Sequence, residues 1–246
     1  MSKIPKKIFQ TWSIKNISQP FQQIVDLWKI LNPEYEYFLY DNNDCEIFIK
    51  EHFDERTYNA YCRIIPGAFK ADLWRYCVLY KYGGVYADID TLCLSGIDKF
   101  LTEETEFMVP IDLNTNPVEG QHNLFNTLIA SNPGNPILLN AIERIVSNVE
   151  NKRIPPSRLD FCGPGLLGRA ANQILGRNET DSFVGLEGNH GKIHFLKFEP
   201  NIEIVRDTHG NILFHNKNGN SLLQCLYFME CQKTENYKSW LTMNPI

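Results

Sequence analysis

No stretch of this 246-residue chain is apolar over the roughly 18 residues that a membrane-spanning helix needs, so no span is expected. The short basic start, Met1 to Lys7, runs into mixed residues with no apolar signal core. A cytoplasmic chain is therefore expected, in which the sequons at Asn16 and Asn178 carry no glycan. Positive charge is also in short supply. A net charge of −5 argues against general nucleic-acid binding, which wants a basic face. It leaves room for a single nucleotide held at a local arginine. CxxC pairs are missing from the seven cysteines, Cys45, Cys62, Cys77, Cys93, Cys162, Cys225 and Cys231. Scattered and odd in number, they read as free, mostly buried thiols, neither a disulfide framework nor a zinc site. Repeats and low-complexity tracts are absent, and no linker divides the chain. Residues 1–246 are expected to form a single domain.

What is present concentrates in Ala68 to Thr91, AFKADLWRYCVLYKYGGVYADIDT. Phe69, Leu73, Tyr76, Cys77 and Tyr80 recur near helical spacing. Gly83 and Gly84 end that helix. Val85, Tyr86, Ala87 and Ile89 favour a strand. Residues two apart on a strand share a side, so Asp88 and Asp90 are expected to present two carboxylates together, facing solvent at the strand end. Two hard oxygen ligands suit a divalent cation, Mn²⁺ or Mg²⁺, that also holds phosphate oxygens. Asp72 and Arg75, three apart, share one helix face. Arginine matches diphosphate oxygens, and an aspartate beside it accepts hydroxyl hydrogens. Alone, Asp72–Arg75 would read as a surface ion pair and Asp88–Asp90 as solvated turn residues. The whole unit together favours a ligand site.

Strands alternate with helices along the first half. Lys7–Trp12 and Tyr35–Tyr40 read as strands, and Gln19–Leu31, Asp44–His52 (capped by Asp44) and Glu55–Arg63 as helices. The fold class expected is α/β, with a mixed, mostly parallel central sheet and helices on both faces. Ligands bind such sheets beyond the carboxyl ends of the strands, where Trp12 and Asp88–Asp90 would meet. Further on, Phe107–Ile111 and Asn123–Ser131 read as strands, and Pro136 opens a helix to about Glu150. Asn151 to Gly165 reads as a loop, or a loop around a short helix, and Ile202–Arg206 with Asn211–His215 as a hairpin.

Two motifs carry a resemblance. The Ala68–Thr91 segment resembles the core of the DXD-containing sugar transferases (glycosyltransferase family 32), which include initiating mannosyltransferases and bacterial capsule enzymes. IPKKIFQTW, Ile4 to Trp12, is similar to that family's opening strand, with Phe9 where histidine is common. A wider similarity extends to the clostridial glucosylating toxins. The resemblance covers roughly residues 4–92 and implies a GT-A-type domain. Residues 1–92 would then bind the nucleotide sugar, and 93–246 would form the acceptor side and a C-terminal lid.

The resemblance further implies a metal-dependent glycosyltransferase that retains anomeric configuration. The donor is a nucleotide sugar, with a UDP-sugar favoured over GDP-mannose, and the acceptor is a glycan or another hydroxyl. Carried onto this sequence, Asp88 and Asp90 hold the metal. Arg75 and Asp90 act in catalysis, with Arg75 on the diphosphate. Trp12 and Thr11 lie by the base, Asp72 and Asn126 orient the sugar, and Ser239 with Trp240 closes over the donor. The family's late histidine has no clear counterpart, which leaves His215 and Asn236 as candidates for a third metal ligand. A haloacid-dehalogenase-type phosphatase also uses DxD. Its motif sits in the first strand with Thr or Val where this chain has Leu92, and its later GDxxxD is missing here. A binding module without catalysis would show eroded aspartates, and here they are intact.

Overall fold

The computed structural model describes residues 3–112, 120–199 and 204–215. Asn236, Ser239, Trp240, Cys225 and Cys231 lie outside the described residues. Ten strands are described: β1 (Lys7–Thr11), β2 (Glu36–Tyr40), β3 (Gly84–Ala87), β4 (Leu92–Cys93), β5 (Phe107–Ile111), β6 (Leu128–Ser131), β7 (Gly188–His190), β8 (Ile193–Glu199), β9 (Ile204–Arg206) and β10 (Ile212–His215). The helices are α1 (Gln19–Leu31), α2 (Asn42–His52), α3 (Glu55–Arg63), α4 (Gly67–Tyr82), α5 (Pro136–Glu150) and α6 (Pro164–Ile174). One sheet runs β2-β1-β3-β6-β5-β8-β9-β10-β4, with β7 paired to β8. Pairing is parallel for β1 with β2 and β3 and for β5 with β8, and antiparallel for the other pairs.

Alternation along the strands builds two cores. Phe9, Tyr86, Phe107, Val109 and Ile129 pack against α2 to α6. Ile8, Val85, Ala87, Met108, Leu128 and Ala130 pack on the other face with Phe21, Ile24, Val25 and Trp28 of α1. Helices therefore cover both faces, as the alternating pattern predicts. Among the described residues no helix is long and apolar enough to cross a membrane. Cys45, Cys77, Cys93 and Cys162 are buried free thiols, while Cys62 is exposed.

Several boundaries differ from the sequence reading, each for a local reason. Asp41, not Asp44, caps α2. Its side chain accepts the Asp44 N–H, and the Asp44 carboxylate reaches back to the Asp41 N–H, a reciprocal capping box. The strand expected over Asn123–Ser131 begins only at Leu128. Before it, Leu124 N–H donates to the Pro164 carbonyl and Phe125 N–H to that of Pro110, so this stretch crosses between elements. Gly163-Pro164-Gly165 does not continue a loop. Pro164 sits in the first turn of α6, where a missing N–H costs nothing.

The junction of α4 with β3 does follow the sequence. Gly83 and Gly84 have φ of 63° and 105°. A Cβ on Gly84 would come within 2.7 Å of the Lys7 carbonyl. Glycine lets β3 start flush against β1 directly after the helix.

Candidate active site

β1, β2 and β3 run parallel, so their carboxyl ends share one edge. β6 runs antiparallel to β3, with Leu128 opposite Ala87. Its amino end, Asn126-Thr127, therefore arrives at the same edge. Thr11, Trp12, Asp88 and Asn126 all reach that edge; the strand–helix alternation pointed there for Trp12 and Asp88.

The aspartate pair is not on a strand. β3 stops at Ala87, and the Thr91 N–H donates to the Asp88 carbonyl at 3.0 Å, closing a turn over Asp88–Thr91. Ile89 belongs to that turn. The pair therefore lies on a turn, where the two-residue strand period does not apply. The main chain of the turn is tied down on several sides. Asp88 N–H donates to Thr127 O at 2.9 Å. Gln10 Nε2 donates to Asp88 O at 3.0 Å. Trp28 Nε1 donates to Thr91 O at 2.8 Å. The Asp88 side chain is 30 % exposed. Asp90 is only 2 % exposed, so the expectation of a solvent-facing carboxylate is corrected.

Asp72 and Arg75 on α4 are both buried, which removes the surface-pair reading. One Arg75 nitrogen, Nη2, lies 3.2 Å from Asp72 Oδ1 and 3.2 Å from Asp88 Oδ1. Its Nη1 donates to Asn126 O at 2.6 Å, and Nε donates to Ala71 O at 3.3 Å. The guanidinium lies 4.4 Å from the centroid of the Tyr86 ring. Tyr86 Oη donates to Asp88 Oδ1 at 2.6 Å. Burial keeps that hydroxyl well above its ordinary pKa, hence protonated and able to donate. Burial pulls Arg75 down, but Asp88, Tyr86 and Asp72 outweigh it, and the cation is held above its ordinary value. Burial lifts Asp72 to about 6, against the pull of Arg75 and of a hydrogen bond from Cys162.

Around Asp72 the shell is closed by residues far away in sequence. Asn126 Nδ2 donates to Asp72 Oδ1 and to the Tyr76 hydroxyl, each at 2.9 Å. Cys162 Sγ donates to Asp72 Oδ2 at 3.0 Å. A Cβ on Gly163 would lie 3.6 Å from the same oxygen. Tyr86, Tyr76, Cys162 and Gln10 escaped the sequence reading. Gln10 had one usable signal, a polar residue inside the buried strand KIFQT. Cys162 had none, because nothing in sequence relates it to a residue ninety positions earlier.

The other expected residues divide. Thr11 Oγ1 donates to Tyr40 O at 2.9 Å and lies 3.3 Å from Cys45 Sγ, so it ties β1 to β2 and α2. Trp12 is half-buried and tilts against Phe21 at 5.2 Å. β10 places His215 opposite Leu92, just beyond Asp90. Even so, no three His, Cys, Asp or Glu side chains converge as a metal cluster among the described residues. A carboxylate pair alone fits a Mg²⁺- or Mn²⁺-type ion, which takes one or two protein carboxylates and completes its shell with phosphate oxygens and water. The contacts of Asp88 with Tyr86 and Arg75 both fall on Oδ1.

The fold and this edge define a mixed α/β domain with an aspartate turn backed by a buried arginine. Residues 18–107 match the family described as "Glycosyltransferase sugar-binding region containing DXD motif". The resemblance read from the two sequence motifs is borne out. The chain is 32 % identical over 105 residues to the initiation-specific alpha-1,6-mannosyltransferase of Candida albicans, across 40 % of this chain and 27 % of that one. It is 29 % identical over 150 residues to inositol phosphoceramide mannosyltransferase 1 of Schizosaccharomyces pombe, across 59 % and 44 %. The chain thus spans less than half the length of these curated relatives. In three dimensions it is similar to PaToxG glycosyltransferase, with a TM-score of 0.56 at 22 % identity over 70 % of each chain, which supports the glycosyltransferase-type fold.

Proposed function

We propose that this chain is a metal-dependent, retaining glycosyltransferase. It moves a sugar from a nucleotide-sugar donor, a UDP-sugar or GDP-mannose, to a hydroxyl of a glycan or similar acceptor. The observation that carries this reading is the buried Asp72–Arg75–Asp88 array beneath the aspartate turn at the carboxyl edge of parallel strands. The named activities of the relatives support the class of reaction, mannosyl transfer included.

Asp88 and Asp90 would hold Mn²⁺ or Mg²⁺. The bound ion supplies Lewis-acid stabilisation of the departing diphosphate. Arg75 fixes Asp88 and Asp72 in place, and its charge adds to the positive field on the leaving group. Asp72, ionised above about pH 6, accepts sugar hydroxyl hydrogens, with Asn126 orienting it. Trp12 and Thr11 border the base at the end of β1. The bond from the anomeric carbon to the diphosphate breaks and one to the acceptor oxygen forms on the same face. The acceptor's proton passes to the diphosphate. Residues 1–92 carry the donor side, and 93–246 the acceptor side with Ser239 and Trp240 as the lid.

A thermal-shift panel of nucleotide sugars tests this. A matching donor with Mn²⁺ at about 100 times its Kd adds about 2.7 kcal/mol, raising the melting temperature by roughly 5–10 °C for a chain of this size. EDTA removes the shift. Asp90→Asn, chosen over alanine because the site is buried, also removes it while melting close to wild type without ligand. Undiminished nucleotide affinity after chelation takes the metal out of the reading, and a panel with no binder refutes the donor.

A further inference from the structure

Gln10 lies on the face of β1 that also carries Ile8, and it is 0 % exposed. A buried amide is costly unless both of its ends are matched. Here both are. Nε2 donates to Asp88 O at 3.0 Å, and Oε1 accepts from the Tyr37 hydroxyl at 2.7 Å. Chemistry fixes the orientation, because a peptide carbonyl only accepts and so must face the NH₂ end. Tyr37 stands on β2 as the register partner of Ile8. A hydrogen-bonded relay therefore crosses the sheet from β2 through β1 to the aspartate turn.

The relay is not needed for the sheet itself. β1 is paired on both sides by β2 and β3, so its ladder is complete without side chains. Gln10 reaches past the last residue of β3 to the first residue of the turn, where ladder bonds have run out. The Asp88 carbonyl also accepts from Thr91 N–H at 3.0 Å. Two donors on one oxygen set the plane of the peptide between Asp88 and Ile89. That plane sets the direction in which the chain leaves towards Asp90.

We propose that Gln10, oriented by Tyr37, is a positioning residue for the Asp88–Asp90 pair, fixing the Asp88 carbonyl so that both carboxylates address one divalent cation and the nucleotide diphosphate it holds. The proposal rests on the transferase reading of that pair. Gln10 touches neither cation nor nucleotide, and its effect passes through the turn.

Tyr37→Phe keeps the ring and removes the hydroxyl. Gln10→Glu keeps the shape and, as a carboxylate, has no donor for Asp88 O. Calorimetry on the full chain, with UDP and with GDP, in Mn²⁺ and in EDTA, reads the result, alongside melting temperature. Tyr37→Phe weakens Mn²⁺-dependent nucleotide binding about 5-fold and Gln10→Glu about 10- to 100-fold, the scale of one or two buried hydrogen bonds. Metal-free affinity stays at the wild-type value in both. The double variant binds no more weakly than Gln10→Glu alone, because Tyr37 acts only through Gln10. Should Gln10→Glu fail to fold, Tyr37→Phe decides alone. Folded variants with wild-type Mn²⁺-dependent affinity overturn the proposal, as do losses that multiply in the double variant. A wild-type protein that binds neither nucleotide overturns the transferase reading and this proposal with it.

Discussion

Arg75 holds two carboxylates with one nitrogen and spends its other donors on main-chain carbonyls. On the proposed reading, an arginine so engaged serves the leaving group largely through the residues it fixes. Its removal leaves the buried Asp72 and the partly exposed Asp88 without the cation between them. Breaking a buried pair by losing one partner costs about 3–5 kcal/mol, against about 0–1 for an exposed pair. Arg75→Ala is therefore expected to lower the melting temperature clearly and to reduce kcat/KM by roughly 30- to 1,000-fold. Arg75→Lys recovers part of the stability and less of the rate, since an ammonium cannot span both acids and the Asn126 carbonyl at once. A variant that melts and turns over like wild type would return Arg75 to an ornamental role. Asp72, Arg75 and Asp88 were legible in sequence because they fall within one short segment, although the strand period used for Asp88 did not hold. Their closeness to Asn126 and Cys162 was not, since it depends on how β6 and α6 dock.

The turn from α4 into β3 is where an element boundary decides the site. Gly84 combines a left-handed φ of 105° with an approach too close for a Cβ, so Gly84→Ala meets strain and a clash with backbone together. The expected cost is at least about 2 kcal/mol, read as a shift in urea midpoint at constant m-value. A neutral Gly84→Ala would mean that β1 and β3 can separate without loss. Elements with strong local signals came out of the sequence at nearly their true limits, among them α1, α3 and α5. Those missed share a cause. α6 opens on Gly-Pro-Gly, which reads as a breaker until Pro164 is recognised as a first-turn residue. The strand assigned to Asn123–Ser131 was overextended because apolar content does not show where a backbone finds its partners.

At the scale of the molecule, the sheet joins what the sequence separated into donor and acceptor parts. β3 has β1 on one side and β6 on the other, and β6 leads on to β5 and β8. Trp74, Tyr76 and Tyr86 share a core with α5 and α6. A fragment ending at Leu92 exposes that core and leaves the outer edge of β3 unpaired. It is expected to show no cooperative thermal transition and little amide protection, whereas the full chain melts cooperatively. A fragment with its own sharp transition would establish an independent donor domain. On this expectation residue 92 does not end a folding unit.

The same interleaving has a consequence for a chain still being synthesised. The Asp88 N–H is closed by Thr127 O, and Gly84 pairs with Ser131. When the two aspartates leave the ribosome, neither the bond that ends their turn nor the strand beside it yet exists. At roughly 5–20 residues per second, several seconds pass before β6 follows. Through that interval Asp88 and Asp90 belong to a loose loop. On the proposed reading, the site for a metal and a nucleotide is complete only once β6, ending at Ser131, has been made.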